Sequence, residues 1–192
     1  NTREFKKNFK TINCDIKKLE KIESKIINFK PEIIIHLASQ PIVKEGFKNP
    51  VSTYETNIFG TVKILELSRK ISSLKKILIF TSDKVYSNIE KKTLTENSKL
   101  GGLDPYSASK ACAELLIDSY RNSFFNINNY DKHFKGIAVA RAGNVIGGGD
   151  WSKDRLIPDI IRSLMSKQSI IIRNSGLLFV KTRLKQNTMV QN

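Results

Sequence analysis

The stretch ILIFTSDK at residues 77–84 decides the fold, because four consecutive apolar residues are followed at once by four polar ones. A short continuous apolar run of this kind predicts a strand of a parallel sheet that is covered on both faces. The run Ile33-Ile34-Ile35 has the same character, and residues 136–145 (GIAVARAGNV) predict a third strand. These segments together predict a parallel sheet.

The segments between these strands carry apolar residues at helical spacing. Helices are predicted over 17–29, 50–72, 105–125 and 154–167. Two further strands are predicted at 9–16 (FKTINCDI) and 170–172, and loops at 36–41 and 87–103. Strands that alternate with helices indicate parallel pairing through right-handed crossovers. The predicted fold class is therefore α/β, with a doubly wound parallel sheet.

A tyrosine and a lysine stand four residues apart in DPYSASK (104–110), at the start of a predicted helix. This spacing places the side chains of Tyr106 and Lys110 on one helix face. An ammonium group beside a phenol favours the phenolate and lowers the pKa of the tyrosine from its usual ~10. Such a tyrosine can accept a proton from a sugar hydroxyl near neutral pH, and Ser82 could hydrogen-bond the same hydroxyl. The pattern predicts oxidation of an alcohol by hydride transfer to a nicotinamide.

Composition restricts the remaining classes of function. The chain has 192 residues, of which 40% are hydrophobic, and a formal net charge of +15. Its lysines are spread along the sequence without a stripe of basic and aromatic residues, so nucleic-acid binding is not predicted. No apolar run approaches the ~18 residues of a membrane span. Cys14 and Cys112 form neither a disulfide framework nor a metal motif, so a reduced, cytoplasmic protein without a metal is expected.

Six segments resemble the extended short-chain dehydrogenase/reductase superfamily and, within it, the nucleotide-sugar 4,6-dehydratases of the CDP-glucose branch. They are HLASQPIV (36–43), TYETNIFGT (53–61), TSDKVYSN (81–88), GGLDPYSASKACAEL (101–115), SYRNSFF (119–125) and RAGNVIGGGDWSKDRLIPD (141–159). The tyrosine and lysine alone would be a weak signal, but the segments in this order are a specific one. The resemblance covers residues 9–174. It implies a partial Rossmann-like sheet and NAD-dependent removal of water from CDP-glucose.

The resemblance also implies a role for each matching catalytic residue. Tyr106 would remove the O4 proton of the sugar as hydride leaves C4, and Lys110 would donate to the ribose hydroxyls of the cofactor. Water would then leave across C5 and C6 with Asp83 as the acid and Lys84 as the base. Related dTDP-glucose enzymes have an adjacent Asp and Glu at these two positions. Lys84 can act as a base only when it is neutral.

Contacts with cofactor and substrate follow from the same resemblance. The implied NAD contacts are Asp15, Ile16, Leu37, Ala38, Gln40, Thr81, Tyr106 and Lys110. The implied contacts with the nucleotide sugar are Asn144, Arg155 and Pro158. A homodimer formed through the helices at 51–72 and 105–125 is implied as well.

Purely structural roles remain open for several residues. Asp15 could cap the helix that follows it, since aspartate is a preferred N-cap residue. The pair Asp83-Lys84 could be an exposed turn at the end of a strand. Asn57 could cap or kink its helix without contacting a ligand. His36 is expected to be structural and has no part in the implied mechanism.

The two ends of the chain depart from the family pattern. No GxxGxxG turn precedes Asp15, so the sheet is expected to lack its first two strands. That would leave residues 9–16 without a partner strand and expose an edge of the 33–35 strand. The expected regions are a partial NAD-binding domain at 1–146, the start of a substrate lobe at 147–174, and a divergent tail at 175–192 that a frameshift would explain.

Two alternative functions stay open. The chain could be a nucleotide-sugar epimerase or reductase, or a non-catalytic remnant.

Overall fold

Three parallel strands form the central sheet. They are β1 (Ile33–His36), β2 (Lys76–Ser82) and β3 (Gly136–Ala142), in the spatial order β1-β2-β3. Ile35 pairs with Leu78, and Leu78 pairs with Ala138, so all three strands are aligned at their centres. The computed structural model describes residues 9–87, 93–173 and 188–191. The α/β class and the parallel pairing predicted from the sequence are confirmed, and β1 is an edge strand as expected.

Helices precede and connect these strands. They are α1 (Glu23–Phe29), α2 (Val43–Lys48), α3 (Pro50–Tyr54), a π-helical segment (Glu55–Phe59), α4 (Gly60–Lys70), α5 (Pro105–Ser123) and α6 (Tyr130–His133), with 3-10 turns at Ile16–Lys21, Asp83–Val85 and Ile127–Asn129. The helices α3 and α4 and the π-helical segment follow one another directly and correspond to the helix predicted over 50–72. The helix α2 is not among the predicted ones, because six residues are too few to show a helical period.

The segment 9–16 is not a strand, so that prediction is wrong. Residues 9–15 are irregular, and Ile16 begins a 3-10 helix. The carboxylate of Asp15 caps this helix and accepts a hydrogen bond from the Lys17 N–H at 2.9 Å. A strand is stable only when a neighbouring strand pairs with its backbone. The described sheet of three strands does not extend to this segment.

The hydrophobic core lies on one face of the sheet. Ile77 and Ile79 of β2 are almost completely buried and belong to the same apolar cluster as Leu65 of α4 and Ile117 of α5. Burial of each such side chain stabilises the folded state by about 1.5–3 kcal/mol. This cluster fixes α4 and α5 against β2 and so determines where α5 presents its first turn.

The opposite face of β1 is exposed. Ile33 and Ile35 are 58% and 57% exposed, and they line a shallow apolar depression together with Leu78 and Ala138. The prediction that this strand is covered on both faces is therefore wrong for the part of the chain that the structure describes. An apolar run indicates which side chains tolerate burial, but it does not indicate whether another layer covers them.

The chain divides into two compact units, Asn1–Gly143 and Asn144–Asn192. The second unit contains α7 (Leu156–Met165), β4 (Ile170–Arg173) and β5 (Thr188–Gln191), and its two strands pair in parallel. The helix predicted at 154–167 and the strand predicted at 170–172 are thus confirmed. Most of the tail predicted at 175–192 lies outside the described residues. Among the helices that are described, none has the length and apolar character needed to span a membrane.

Candidate active site

The C-terminal end of β2 carries four of the predicted site residues. Thr81 and Ser82 are buried at the end of the strand, and the chain then turns through Asp83–Val85. Ser82 begins this turn, because its Oγ accepts a hydrogen bond from the Lys84 N–H at 3.2 Å and donates one to Asp83 Oδ1 at 3.1 Å. Asp83 and Lys84 are exposed. The structure thus joins a hydroxyl to a carboxylate, and it leaves Lys84 without the buried environment that a catalytic base would use.

The first turn of α5 is fixed by its own sequence. Asp104 is the N-cap, and its carboxylate accepts hydrogen bonds from the Ser107 N–H at 3.0 Å and from the Ser107 hydroxyl. Pro105 occupies the first helical position, where its missing N–H costs nothing. A Cβ on Gly102 would lie 2.2 Å from the carbonyl carbon of Ser107, so only glycine fits there. These features hold Tyr106, which is 8% exposed, in a defined place.

Lys110 brings α5 to the end of β2. The residue is 7% exposed, and its ammonium group donates a long hydrogen bond of 3.4 Å to the carbonyl oxygen of Phe80. Burial lowers the pKa of Lys110 to about 8. Since an ammonium group has three donors, and the described residues give it this one long hydrogen bond, it can still donate to a bound hydroxyl. The buried ammonium group of Lys110 is therefore suited to donate hydrogen bonds to the ribose hydroxyls of the dinucleotide that the sequence resemblance implies.

Replacement of Lys110 with Met should stabilise the fold at neutral pH. Burial lowers the pKa of the lysine from 10.5 to about 8, so between these pH values the unfolded chain binds more protons than the folded one. The parent protein therefore loses stability as pH falls from 10.5 to 8 and keeps that deficit at lower pH. Met has no such deficit, and we expect the free energy of unfolding to rise by roughly 1–3 kcal/mol at pH 7.

Urea unfolding at several pH values measures this effect. The difference between Lys110→Met and the parent should be largest below pH 8 and should fade as the pH approaches 10.5. Lys132→Met changes an exposed lysine of α6 and serves as the control, with the same stability as the parent throughout this range. A variant that is less stable than the parent at pH 7 would contradict the prediction.

Asn57 joins the loop after β1 to the helix that carries Tyr106. Its Oδ1 accepts a hydrogen bond from the Gln40 N–H at 2.8 Å, and its Nδ2 donates to the Gln40 carbonyl at 3.1 Å and to Ser109 Oγ at 2.8 Å. Ser109 Oγ donates in turn to the carbonyl oxygen of Tyr106 at 2.6 Å. The Asn57 side chain is buried within the π-helical segment. It therefore acts as a bridge between two parts of the candidate site, a role that the sequence analysis missed.

The loop residues predicted to contact NAD differ in exposure. Leu37 is 65% exposed, and Ala38 is also exposed, so both are accessible at the C-terminal end of β1. Gln40 is partly buried, and its side-chain amide donates a hydrogen bond to Thr53 Oγ1 at 2.9 Å. The side chain of Gln40 therefore has a structural partner. Contact of these three residues with NAD stays a prediction.

Asp15 and Ile16 have structural partners as well. Asp15 is the helix cap described above, which is the structural role that the sequence left open for it. Ile16 packs at the margin of the core, and a Cβ on Gly60 would lie 3.1 Å from its side chain, so the two residues approach closely. The predicted contact of Asp15 and Ile16 with NAD is compatible with these structural contacts but stays a prediction.

His36 ends β1 in a buried position. Its Nε2 lies 3.3 Å from Thr61 Oγ1. Burial, and to a lesser extent the positive charge of Lys110, lower the pKa of His36 to about 4. The imidazole is therefore neutral at pH 7, which agrees with the structural role expected for it.

The predicted substrate contacts all lie in the second unit. Asn144 is exposed, and Pro158 is buried within α7. The guanidinium of Arg155 lies 3.7 Å from the carboxylate of Asp150, and its Nε is buried without a hydrogen bond among the described residues. The contact of Asn144, Arg155 and Pro158 with a nucleotide sugar stays a prediction.

The sequence analysis also missed a charged pair beside the site. Glu114 lies one turn after Lys110 on α5 and is buried, and Arg141 of β3 binds its carboxylate. The sequence could have indicated Glu114 alone, because it continues the helix face of Tyr106 and Lys110 and residues four apart share a face.

Comparison with known proteins identifies the family. The sequence profile of the GDP-mannose 4,6 dehydratase family matches residues 1–131. The chain belongs to this family. A CDP-glucose 4,6-dehydratase of Salmonella typhimurium is 52% identical over 161 residues, which make up 83% of this chain and 45% of that protein. The predicted resemblance to nucleotide-sugar 4,6-dehydratases is thereby confirmed, and this member of the dehydratase family spans less than half the length of that relative.

Solved structures share the fold of the chain. A dTDP-glucose 4,6-dehydratase of Streptomyces venezuelae, solved with NAD bound, superposes with a TM-score of 0.73 at 22% identity, over 86% of this chain and 47% of its own. A UDP-glucuronic acid 4-epimerase of Bacillus cereus gives a TM-score of 0.76 at 22% identity, over 91% of this chain and 51% of its own. The Rossmann-like architecture is therefore confirmed. Because a dehydratase and an epimerase share it, the fold does not distinguish between the two activities.

Proposed function

We propose that the protein carrying this chain converts CDP-glucose to CDP-4-keto-6-deoxyglucose in an NAD-dependent 4,6-dehydration. The observation that carries the proposal is the meeting of α5 with β2, where the buried Tyr106–Lys110 face reaches the strand end that holds Ser82 and Asp83. The identity with the Salmonella protein supports the CDP-glucose substrate, although it extends over 45% of that protein.

The side chains of the site divide the proposed reaction into two parts. NAD, when bound, supplies the redox chemistry, in which hydride is accepted from C4 of the sugar and later returned to C6. Tyr106 accepts the O4 proton while the nearby Lys110 charge favours the phenolate, and Ser82 hydrogen-bonds the same oxygen. The 4-keto group formed in this way makes the C5 proton acidic.

The elimination is assigned to the turn after β2. Asp83 gives a proton to the C6 hydroxyl, which leaves as water, while a base removes the C5 proton and returns a proton to C5 when hydride reaches C6. We assign the base to Lys84 on the sequence resemblance alone, because the exposed position of Lys84 does not by itself favour the loss of its own proton that this role requires. The hydrogen bond from Ser82 to Asp83 supports these two roles, because it connects the hydroxyl proposed to contact O4 with the carboxylate proposed to act at C6.

The change Asp83→Asn tests the proposed function. The amide keeps the shape of the carboxylate but cannot supply the proton, so we expect the 4-keto-6-deoxy product to fall by about 10²–10⁴-fold. Oxidation at C4, followed as reduced nicotinamide, should continue. Asp131→Asn, an exposed change in α6, is the control and should behave like the parent.

Unchanged product formation by the Asp83 variant would contradict the assignment of the acid. An epimerase or reductase of the same superfamily is the second candidate, because the solved epimerase has the same fold. Such an enzyme would use the Tyr106–Lys110 face without an elimination step. It would release a 4-epimer or a reduced sugar from CDP-glucose and NAD(H), and it would be insensitive to the change at Asp83.

We further propose that the protein is a cytoplasmic homodimer. The helical stretch from Pro50 to Lys70 packs against α5, and both expose large apolar side chains, with Val51 at 69%, Phe59 at 61% and Leu115 at 60%. Apolar groups exposed on neighbouring helices are typical of an interface between subunits. Light scattering of the purified protein measures the mass, and a monomer at micromolar concentration would contradict the dimer.

A further inference from the structure

A buried ion pair links β3 to α5 beside the candidate site. Arg141 Nε lies 2.9 Å from each carboxylate oxygen of Glu114, and Nη2 donates a second, parallel hydrogen bond to the same group. Only 4% of the Glu114 side chain and 19% of the Arg141 side chain are exposed. The hydrogen bonds with Glu114 raise the pKa of Arg141 above its usual range, so the guanidinium stays charged. We call these two residues the Glu114–Arg141 pair.

The pair holds residues on both sides of the turn Asp83–Val85. Before the turn, the Thr81 hydroxyl donates a hydrogen bond of 2.6 Å to Glu114 Oε1. After the turn, Arg141 Nη1 donates to the Tyr86 hydroxyl at 3.0 Å, and the guanidinium lies 4.9 Å from the centre of the Tyr86 ring. The exposed turn that carries Asp83 and Lys84 is therefore anchored at each end to one ion pair.

The same guanidinium also holds the returning chain. Arg141 Nη1 donates a hydrogen bond of 2.8 Å to the carbonyl oxygen of Glu96. Beyond that point the backbone pairs with the segment after the turn, through Ser87 N–H to Lys99 O at 2.9 Å and Gly101 N–H to Val85 O at 2.8 Å. Arg141 thus contacts both halves of this antiparallel pairing.

Stability alone does not account for a pair placed in this way. A buried ion pair contributes little net stability compared with apolar side chains of the same volume, because both charges lose their hydration. A forked, bidentate guanidinium does fix geometry, since its donors point in set directions. The contacts made by its remaining donor, with Tyr86 and Glu96, fall on the segments that position the turn.

We propose that the Glu114–Arg141 pair is a positioning pair that holds Asp83 and Lys84 for the elimination step, an inference that rests on the proposed function of that turn. It acts through Thr81 and Tyr86 and does not itself contact the substrate. Loss of the bidentate hydrogen bonds of Arg141 should loosen the turn. The Tyr106–Lys110 face should remain ordered, because the core and the helix cap hold it in place.

The change Arg141→Lys tests the proposal, because it keeps the positive charge and removes the planar guanidinium with its parallel hydrogen-bond donors. Amide hydrogen exchange of the full chain is the first measurement. We expect the Ser87 and Gly101 amides to exchange about tenfold faster, as for loss of one hydrogen bond to a charged group. The amides of Ile77 and Ile79 in β2 should keep the protection that they have in the parent.

Product partition is the second measurement. In Arg141→Lys the elimination should slow while C4 oxidation continues, so reduced nicotinamide should accumulate relative to the 4-keto-6-deoxy product. The control is Arg121→Lys, which changes a partly exposed arginine of α5 that pairs with Asp118. Tyr86→Phe removes one acceptor of Arg141 without disturbing the ion pair, and it provides a milder test if Arg141→Lys does not fold.

The outcomes separate the positioning role from its alternatives. Faster exchange confined to the turn and its partner segment supports the proposal, and the accumulation of reduced nicotinamide extends that support to catalysis. Equal loss of protection in β2 would overturn it, because the pair would then serve overall stability. Unchanged exchange at Ser87 and Gly101 would overturn it as well. If the parent forms no product, the proposed function fails, and the exchange data still decide whether the pair positions the turn.

Discussion

Replacement of Tyr106 with Phe should lower formation of the 4-keto product by about 10²–10⁴-fold, the usual contribution of a positioned acid or base. The phenol is held by the capped first turn of α5 and is 8% exposed, and Phe keeps the ring in the same place. Without that oxygen the O4 proton loses its acceptor on this helix face, and both oxidation at C4 and the later elimination stop. This loss of the first step distinguishes the variant from Asp83→Asn.

Steady-state turnover of CDP-glucose with added NAD measures the effect, and the absorbance of reduced nicotinamide shows whether the first step is lost. Tyr130→Phe is the matched control, since it removes the same hydroxyl from a tyrosine that is 43% exposed at the start of α6. Turnover by Tyr106→Phe within a factor of about two of the parent would remove Tyr106 from the mechanism.

The strand β2 and the helix α5 could be predicted because their signals are local. Four apolar residues followed by polar ones define the end of a buried strand, and the sequence Asp104-Pro105 defines the start of a helix. The structure brings Lys110 to β2, where its ammonium group contacts the carbonyl oxygen of Phe80. What could be predicted of the candidate site is therefore its two principal elements.

The parts that could not be predicted depend on partners far away in sequence. Residues 9–16 have the composition of a strand, but a strand needs a neighbour, and the described sheet offers none. Arg141 and Glu114 are 27 residues apart, and nothing in either local sequence indicates that they meet. The exposure of Ile33 and Ile35 has the same origin, because local composition does not report which layers cover a face.

Asn57 is a further residue whose role depends on partners that are distant in sequence. Its segment has a helical period, and the sequence allowed a cap or a kink that contacts no ligand. The structure shows a buried amide with hydrogen bonds to Gln40, 17 residues away, and to Ser109, 52 residues away. This bridge pairs the partly buried backbone N–H and C=O of Gln40, and such hydrogen bonds are costly to lose.

We expect Asn57→Asp to destabilise the fold by about 3 kcal/mol at pH 7, as for a buried charge without a partner. The carboxylate has the shape of the amide, but it replaces the Nδ2 donor with an acceptor that faces the Gln40 carbonyl at 3.1 Å. The Gln40 N–H can still donate to the remaining oxygen, so the loss is confined to the two bonds that Nδ2 makes. Because Ser109 binds the carbonyl oxygen of Tyr106, the first turns of α5 should loosen as well.

Urea unfolding measures this change, and its pH dependence identifies the cause. Burial raises the pKa of a carboxyl group, so the introduced side chain of Asn57→Asp can donate a hydrogen bond again once it is protonated, and the deficit should shrink as the pH is lowered toward ~4. Asn97→Asp, in an exposed turn, is the control and should stay within about 0.5 kcal/mol of the parent. A stability deficit that is the same at pH 7 and at low pH would mean that the lost hydrogen-bond donor, and not the buried charge, causes most of the destabilisation.

Parent-like stability at pH 7 would show that the bridge between the β1 loop and α5 is not needed for stability. The candidate site would then depend on the core and the Asp104 cap alone.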